Sequence, residues 1–392
     1  QKLSPTRTFD PRVSPSPSPS PDWWIPKDTP APGETPDPSA STQPTVAPTS
    51  EPNDLLHGKY SEKFTSGEVV RDENGYRSGN VCVEMSKHTM TVQGQPVCYY
   101  VADIYIKDIT SLRCAISDSP DRDEWVTELA GKNNAIVAAS GDFFVFKRSG
   151  LAIRNGQVYR EELNRSQDVC VVYSDGTMAT YFAGSVDLDS IYAKNPYHAF
   201  SFGPKLLNNG EPMTEFNTSV ATWNPRCAIG YYEPGHYCLV VVDGRQRGYS
   251  LGLEMTELSK LMKQLGCTEA YNLDGGMTAM MAYGTELYSQ PCGGGRQNCD
   301  IVYVAEPLFN FNNKRRVFRV LLSHLTAMLA LLVLICFVID RFNTAMAFMD
   351  SELSKWYIAV LAVLALISSI LNIVALWVNP DKMKKNRTPD NH

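Results

Sequence analysis

The sequence predicts an α+β domain built on a large mixed β-sheet, followed by a two-helix transmembrane hairpin. Three observations carry this. Short β-branched runs alternate with polar turns between residues 55 and 305, helical periodicity is confined to two stretches, and two long apolar runs lie near the C-terminus. Strand composition marks residues 97–106 (VCYYVADIYI), 135–139, 169–173, 228–232, 239–242 and 301–304. Helical spacing marks 123–131 and 256–265. In the second, Leu251, Met255, Leu258, Met262 and Leu265 recur at steps of four and three and so share one face. Thr256 fits its N-cap, Glu257 suits the first turn, and Gly266 suits the stop.

The segment 239–284 organises the rest. It reads as a strand ending in Asp243-Gly244, a polar loop, the amphipathic helix, and a strand ending in Asp274-Gly275-Gly276. Ligands of α/β sheets bind beyond the C-terminal ends of strands. The two acidic turns, on what read as neighbouring strands, are therefore expected to face one cleft. Asp-Gly is also an ordinary turn pair, so the turns alone do not establish a site.

Residues 1–54 form a Pro/Ser/Thr tract with SPSPSPSPD, too poor in apolar surface to offset ordering entropy, and are expected to be a disordered stalk. A globular domain spans 55–308. Runs 317–339 and 357–378 are each long enough to cross a hydrocarbon core, which needs ~20 residues. A basic tail, 379–392, closes the chain. Basic clusters at Lys314, Arg315, Arg316 and Arg319 and at Lys382, Lys384, Lys385 and Arg387 flank the hairpin, against only Arg341 and Lys355 within its loop. The positive-inside rule then places both flanks in the cytoplasm, whereas an upstream signal exports a long domain regardless of such charges. The chain opens at Gln1 without an apolar run in residues 1–50, which leaves room for such a signal.

The formal charge of −6 and the absence of a basic stripe argue against nucleic acid as a partner. Nine of the ten cysteines lie in the globular region, and Cys292 with Cys299 and Cys82 with Cys98 are disulfide candidates, which favours export. No CxxC or HExxH occurs, which counts against zinc. No cofactor is required by the sequence. Its carboxylates are of the kind that take Ca²⁺ or Mg²⁺, yet no EF-hand spacing is present.

Four further stretches have functional character: SGDFFVFKRSGLAIRNGQVYRE from residue 140, SFGPKLLNNGE from 201, NPRCAIG from 224 and CGGGRQNCDIVYV from 292. Arginines among them match phosphate oxygens in a bidentate way, and carboxylates supply acid, base or nucleophile at an acetal carbon. Taken in order, GDFF with IRNG, SFGP, NPRCAIG, VVDGR with GYSLGL, NLDGG and GGGR resemble the phosphodiester glycosidase family over roughly 135–305. The resemblance implies a mixed α/β catalytic domain that hydrolyses a sugar C1–O–phosphate bond, extracytoplasmic at a cell membrane, with a glycan or sugar-phosphate substrate of the envelope or an exopolysaccharide. It carries catalytic roles to Asp274, Asp243 and Asp142, with Asp274 as acid/base or nucleophile. Substrate contacts fall on Arg226 and Arg245 as a phosphate clamp, on Ser250, Asn272 and Thr278, on Gly275 and Gly276 as an anion nest, and on Arg296 at the edge. The sequence departs from the family at Ser140, where asparagine is usual, and at Met277-Thr278, where small residues are usual. A bulky Met277 is expected to narrow the pocket. The competing reading is a non-catalytic glycan-binding module of the same fold.

Overall fold

The longest strands, Val81–Val92 and Gln95–Ile106, pair along their whole length as a hairpin whose turn is set by positive φ at Gln93 and Gly94. This hairpin is the centre of a seven-stranded sheet in the computed structural model. The model describes residues 7–8, 54–119, 123–216, 218–307 and scattered positions between 324 and 369. The sheet runs in the order Glu269–Leu273, Arg226–Glu233, His236–Val242, Gln95–Ile106, Val81–Val92, Gly75–Arg77 and Val70–Asp72. Two further sheets, of six and five strands, and a two-stranded ribbon of Leu207–Asn208 with Glu211–Pro212 are also formed. The strand pairings among the described residues are antiparallel, so the α+β class holds, but several antiparallel sheets replace one large mixed sheet.

Alternation along the strands divides the core. Leu239 and Val241 point into one hydrophobic cluster with Ile229, Tyr271 and Leu273, and there meet Val137, Ala139, Val302 and Val304 of the five-stranded sheet. Val240 and Val242 point the other way and meet Leu258, Leu261 and Met262 of the helix Met255–Gln264. A strand buried on both faces needs apolar residues at every position, which is why residues 239–242 read as continuous Leu-Val-Val-Val.

The helix begins one residue before Thr256, and Glu254 occupies the N-cap without a side-chain cap bond. The expected Thr256 cap is thus displaced by two residues, because Leu253 is drawn into an isolated bridge with Asn224 just upstream. The other expected helix is Val126–Lys132, and a short one, Leu188–Tyr192, was not anticipated.

The expected disulfides are absent, and all nine described cysteines are free and buried. Cys82 faces Tyr105 in the hairpin register and Cys98 faces Thr89, so they sit seven residues apart along paired strands. At ~3.3 Å per residue that is far beyond disulfide reach. Cys238 and Cys267, by contrast, approach to 3.6 Å between sulfurs over Gly230, where a Cβ would fall 2.6–2.7 Å from both.

Residues 1–307 and 308–392 form two units. The expected stalk lies outside the described residues apart from residues 7, 8 and 54, and so does the basic tail. The apolar runs 317–339 and 357–378 fall mostly outside them. No helix among the described residues is long and apolar enough to cross a membrane. Thr326 and Ser369, one on each run, share a hydrogen bond of 2.8 Å between their hydroxyls.

Candidate active site

Antiparallel pairing brings three functional stretches to one end of the seven-stranded sheet. Arg226 opens its strand opposite Val242, the last residue before Asp243. On its other side Cys227 pairs with Leu273, the last residue before Asp274. The acidic turns are therefore on next-but-one strands, not neighbours, and the arginine strand lies between them. Glycines permit this closeness. A Cβ on Gly244 would fall 2.7 Å from the Pro225 nitrogen, and one on Gly275 2.7 Å from the Pro225 carbonyl oxygen.

Asp274 is the predicted acid that lines a crevice. Its neighbours there are Gly141, Phe143, Asn298, Cys299 and Asp300, and the crevice has no room for a water-sized sphere. Thr278 Oγ1 donates to Asp274 Oδ2 at 2.8 Å, and the Asp274 amide donates to Gly141 at 2.9 Å. Burial pushes the Asp274 carboxyl up to about 6; Asp300 adds to this, while the Thr278 bond and the Arg296 charge oppose it. Met277 is 38% exposed and turns its Cε toward Gly293 of the glycine loop.

Asp142 is elsewhere in character. It is fully buried and ion-paired to Arg154, accepts from the Phe144 amide at 3.2 Å and the Ser201 amide at 3.0 Å, and has no exposed edge. Arg154 also reaches Asp300 at 3.3 Å and stacks between Phe144 and Phe200, each 4.6 Å away. This arrangement braces the GDFF turn, in which Phe143 holds a left-handed φ of 60°. Asp243 is buried among hydrogen bonds too, from Tyr249 at 2.8 Å and the Gln290 amide at 3.2 Å, and burial raises its proton affinity.

Arg226 and Arg245 form the electropositive part. Arg226, 3% exposed, donates from Nε to Leu253 at 2.9 Å and from Nη2 to Thr222. Burial, then the Arg245 charge, lowers its pKa to about 10. Arg245, exposed and with a left-handed φ of 58°, donates to Asn224 Oδ1 at 2.8 Å and overlies Gly276. Among the described residues neither guanidinium makes an ion pair. Two adjacent like charges without carboxylate partners suit an anion.

The remaining predicted residues take framework contacts. Ser250 Oγ donates to the Asp243 carbonyl at 2.6 Å and accepts from the Cys98 amide at 2.9 Å, tying the acidic turn to the neighbouring strand. Asn272 donates to Gly203 at 2.8 Å beside the cis Gly203-Pro204 bond, and its buried Oδ1 has no partner. Arg296 is exposed, with its charge toward Asp274.

Two charged residues of the site escaped the sequence reading. Lys147 donates to Ser201 at 2.9 Å and lies near enough to Asp274 for their charges to interact, while burial lowers its pKa. Asp300 shares the crevice with Asp274. An acid placed directly before a buried strand and after a glycine loop was the available signal for it. Among the described residues no cluster of three or more His, Cys, Asp or Glu could hold a metal ion.

A comparison with curated proteins gave no match. Among solved structures, the zebrafish N-acetylglucosamine-1-phosphodiester alpha-N-acetylglucosaminidase catalytic domain, auto-inhibited by its pro-peptide, is similar at 19% identity and a TM-score of 0.48, over 61% of this chain and 88% of that one. A protein from Synechocystis is similar at 14% identity and a TM-score of 0.39, over 58% and 62%. The family model described as phosphodiester glycosidase matches residues 133–305. The segment 133–305 is thus similar to the phosphodiester glycosidase family.

Proposed function

We propose that the domain hydrolyses the bond between a sugar's anomeric carbon and a phosphodiester oxygen, with Asp274 as the proton donor and Arg226 and Arg245 gripping the phosphate. The observation that carries this reading is the pairing of two guanidiniums lacking carboxylate partners with an acid whose proton affinity is raised, all at one end of one sheet. A phosphate between the arginines would relieve their mutual repulsion. Asp274, protonated below about pH 6, would deliver its proton to the departing phosphate oxygen as the C–O bond breaks, while the oxygen of a water molecule bonds to the anomeric carbon and releases its proton to solvent. The Gly275 and Gly276 turn, free of side chains, lets a ligand approach the backbone under Arg245.

The substrate we propose is a glycan phosphodiester of the cell envelope or an exopolysaccharide, met on the outer side of a membrane that holds the C-terminal apolar hairpin. The apolar length of runs 317–339 and 357–378 supports the tether. The test is release of sugar from UDP-N-acetylglucosamine and from a nitrophenyl-phosphate sugar by the full chain. Turnover lost on Asp274→Asn supports hydrolysis. Binding of these ligands without turnover would replace it with a glycan-binding role.

A further inference from the structure

The loop GDFFVFK from residue 141 carries three phenyl rings, and the fold sorts them. Phe144 is 2% exposed, and its ring covers the Arg154 guanidinium at 4.6 Å. Phe143 and Phe146 stay toward the surface, where their rings stack on one another with centroids 4.9 Å apart and an interplanar angle of 30°. One tight turn brings them together, closed by the Phe146 amide donating to the Phe143 carbonyl at 3.3 Å. Phe143 is half-buried and Phe146 is 47% exposed. A lone exposed phenyl is ordinary on a protein surface, whereas a stacked pair at the lip of a crevice calls for a reason.

Holding the pair there costs the fold. Phe143 has a φ of 60°, a conformation that a side chain of this bulk rarely adopts. Buried polar groups enforce it. Asp300 accepts from the Phe143 amide at 3.2 Å and Asp142 from the Phe144 amide at 3.2 Å, and both carboxylates are buried. Arg160 donates to the Phe144 and Lys147 carbonyls at 2.7 Å each and to the Ser149 carbonyl at 2.9 Å, while Lys147 Nζ donates to the Ser201 carbonyl at 2.9 Å. The loop is therefore a rigid mount for its two outer rings. A strained backbone that its surroundings over-determine is a mark of a ligand clamp, and a fixed surface binds without first having to be ordered.

Phe143 is also a wall of the crevice that Asp274 lines. That crevice does not admit a water-sized sphere, so a sugar has to meet Asp274 from the rim, where the two rings stand. We propose that Phe143 and Phe146 are specificity-determining residues, a platform on which the apolar C–H face of the substrate's pyranose ring stacks while its C1–O bond is presented to Asp274. Two phenyl rings supply flat apolar area without charge, which matches that face of a sugar and offers nothing to a phosphate. The inference rests on the reading of the domain as a sugar-phosphodiester hydrolase and names what recognises the sugar half of its substrate.

Calorimetric titration of the full chain in the Asp274→Asn background, used to keep the ligand uncleaved, reads the platform separately from turnover. The probes are a nitrophenyl-phosphate sugar and methyl nitrophenyl phosphate, a diester of the same charge without the sugar. Phe146→Ala should weaken the sugar diester about tenfold and leave the methyl diester within about twofold, and Phe146→Trp should keep the parent affinity for both. Thermal unfolding of these variants should coincide with the parent's, because the side chain replaced is exposed. Equal weakening of the two diesters overturns the inference. So does a Phe146→Ala chain that binds the sugar diester as the parent does, or a parent that binds it no more tightly than the methyl diester. If Phe146→Ala does not fold, Phe143→Gly decides in its place by the same criteria, since it removes the other ring from a backbone conformation that glycine tolerates. Ring-dependent binding without hydrolysis by the native chain rejects the proposed function and leaves the platform standing. Hydrolysis by the native chain at a KM that Phe146→Ala does not change does the reverse.

Discussion

Replacing Asp274 by asparagine should make the protein more stable while it abolishes turnover. The carboxyl is raised from 3.8 to about 6 in the folded state, so above pH 6 folding must carry a charged group into surroundings that disfavour it. A group whose folded pKa lies above its unfolded one costs stability as pH rises from the unfolded value to the folded one. The cost is complete above about pH 6 and nearly absent at about pH 4. Two units at ~1.4 kcal/mol each give about 3 kcal/mol at pH 8, roughly 1.5 at pH 5 and roughly 0.5 at pH 4. Asp274 retains some exposure, so about 1–2 kcal/mol is the expected gain at pH 8. Asparagine keeps an acceptor for the Thr278 hydroxyl and is close in volume, so little else changes. Urea unfolding of the full chain followed by circular dichroism at both ends of this range measures the difference. A variant no more stable than wild type at pH 8, or one whose advantage does not depend on pH, would refute the reasoning.

Arg245→Ala removes an exposed side chain and should leave stability within about 0.5 kcal/mol, while raising KM for a sugar phosphodiester about tenfold or more; steady-state kinetics and thermal unfolding on the same sample check both halves. Asp142→Ala takes the acceptor from the buried Phe144 and Ser201 amides and one of the two carboxylates from Arg154, and should cost about 2–4 kcal/mol, so the chain unfolds at a lower urea concentration. Gly141→Ala forces a methyl into the Asp300 carboxyl and should cost about 2–3 kcal/mol in the same assay. Gly230→Ala crowds the Cys238 and Cys267 sulfurs and the Met262 methyl, with an expected loss of about 1–3 kcal/mol.

The strands and the long helix were legible because burial on two faces or on one leaves a periodic trace, as at 239–242 and at Met255, Leu258 and Met262. The location of Asp274 and of Arg226 was legible because glycine and proline punctuate their turns. The division of labour among the acids was not. Asp142 and Asp274 both follow a strand and precede or neighbour glycine, and only the long-range partner of each, Arg154 for one and the crevice for the other, separates brace from acid. Asp300 and Lys147 were hidden for a related reason, since each is a single polar residue whose importance comes from segments more than a hundred positions distant. Disulfide pairing from spacing failed at Cys82 and Cys98 because strand register, not sequence separation, decides which thiols meet.

Sandwiching the arginine strand between the two acidic turns makes the site sensitive to a kind of error that no single substitution produces. Side chains on a strand change face at every step, so a one-residue slip of Arg226–Glu233 between its two partners would turn the guanidinium from the helix side to the main core. Both pairings would have to slip together, which ties the geometry of the candidate site to the alignment of the whole sheet. Variation in what the domain accepts is therefore expected in the loops beyond the strand ends, where length can change while this three-strand alignment stays in place.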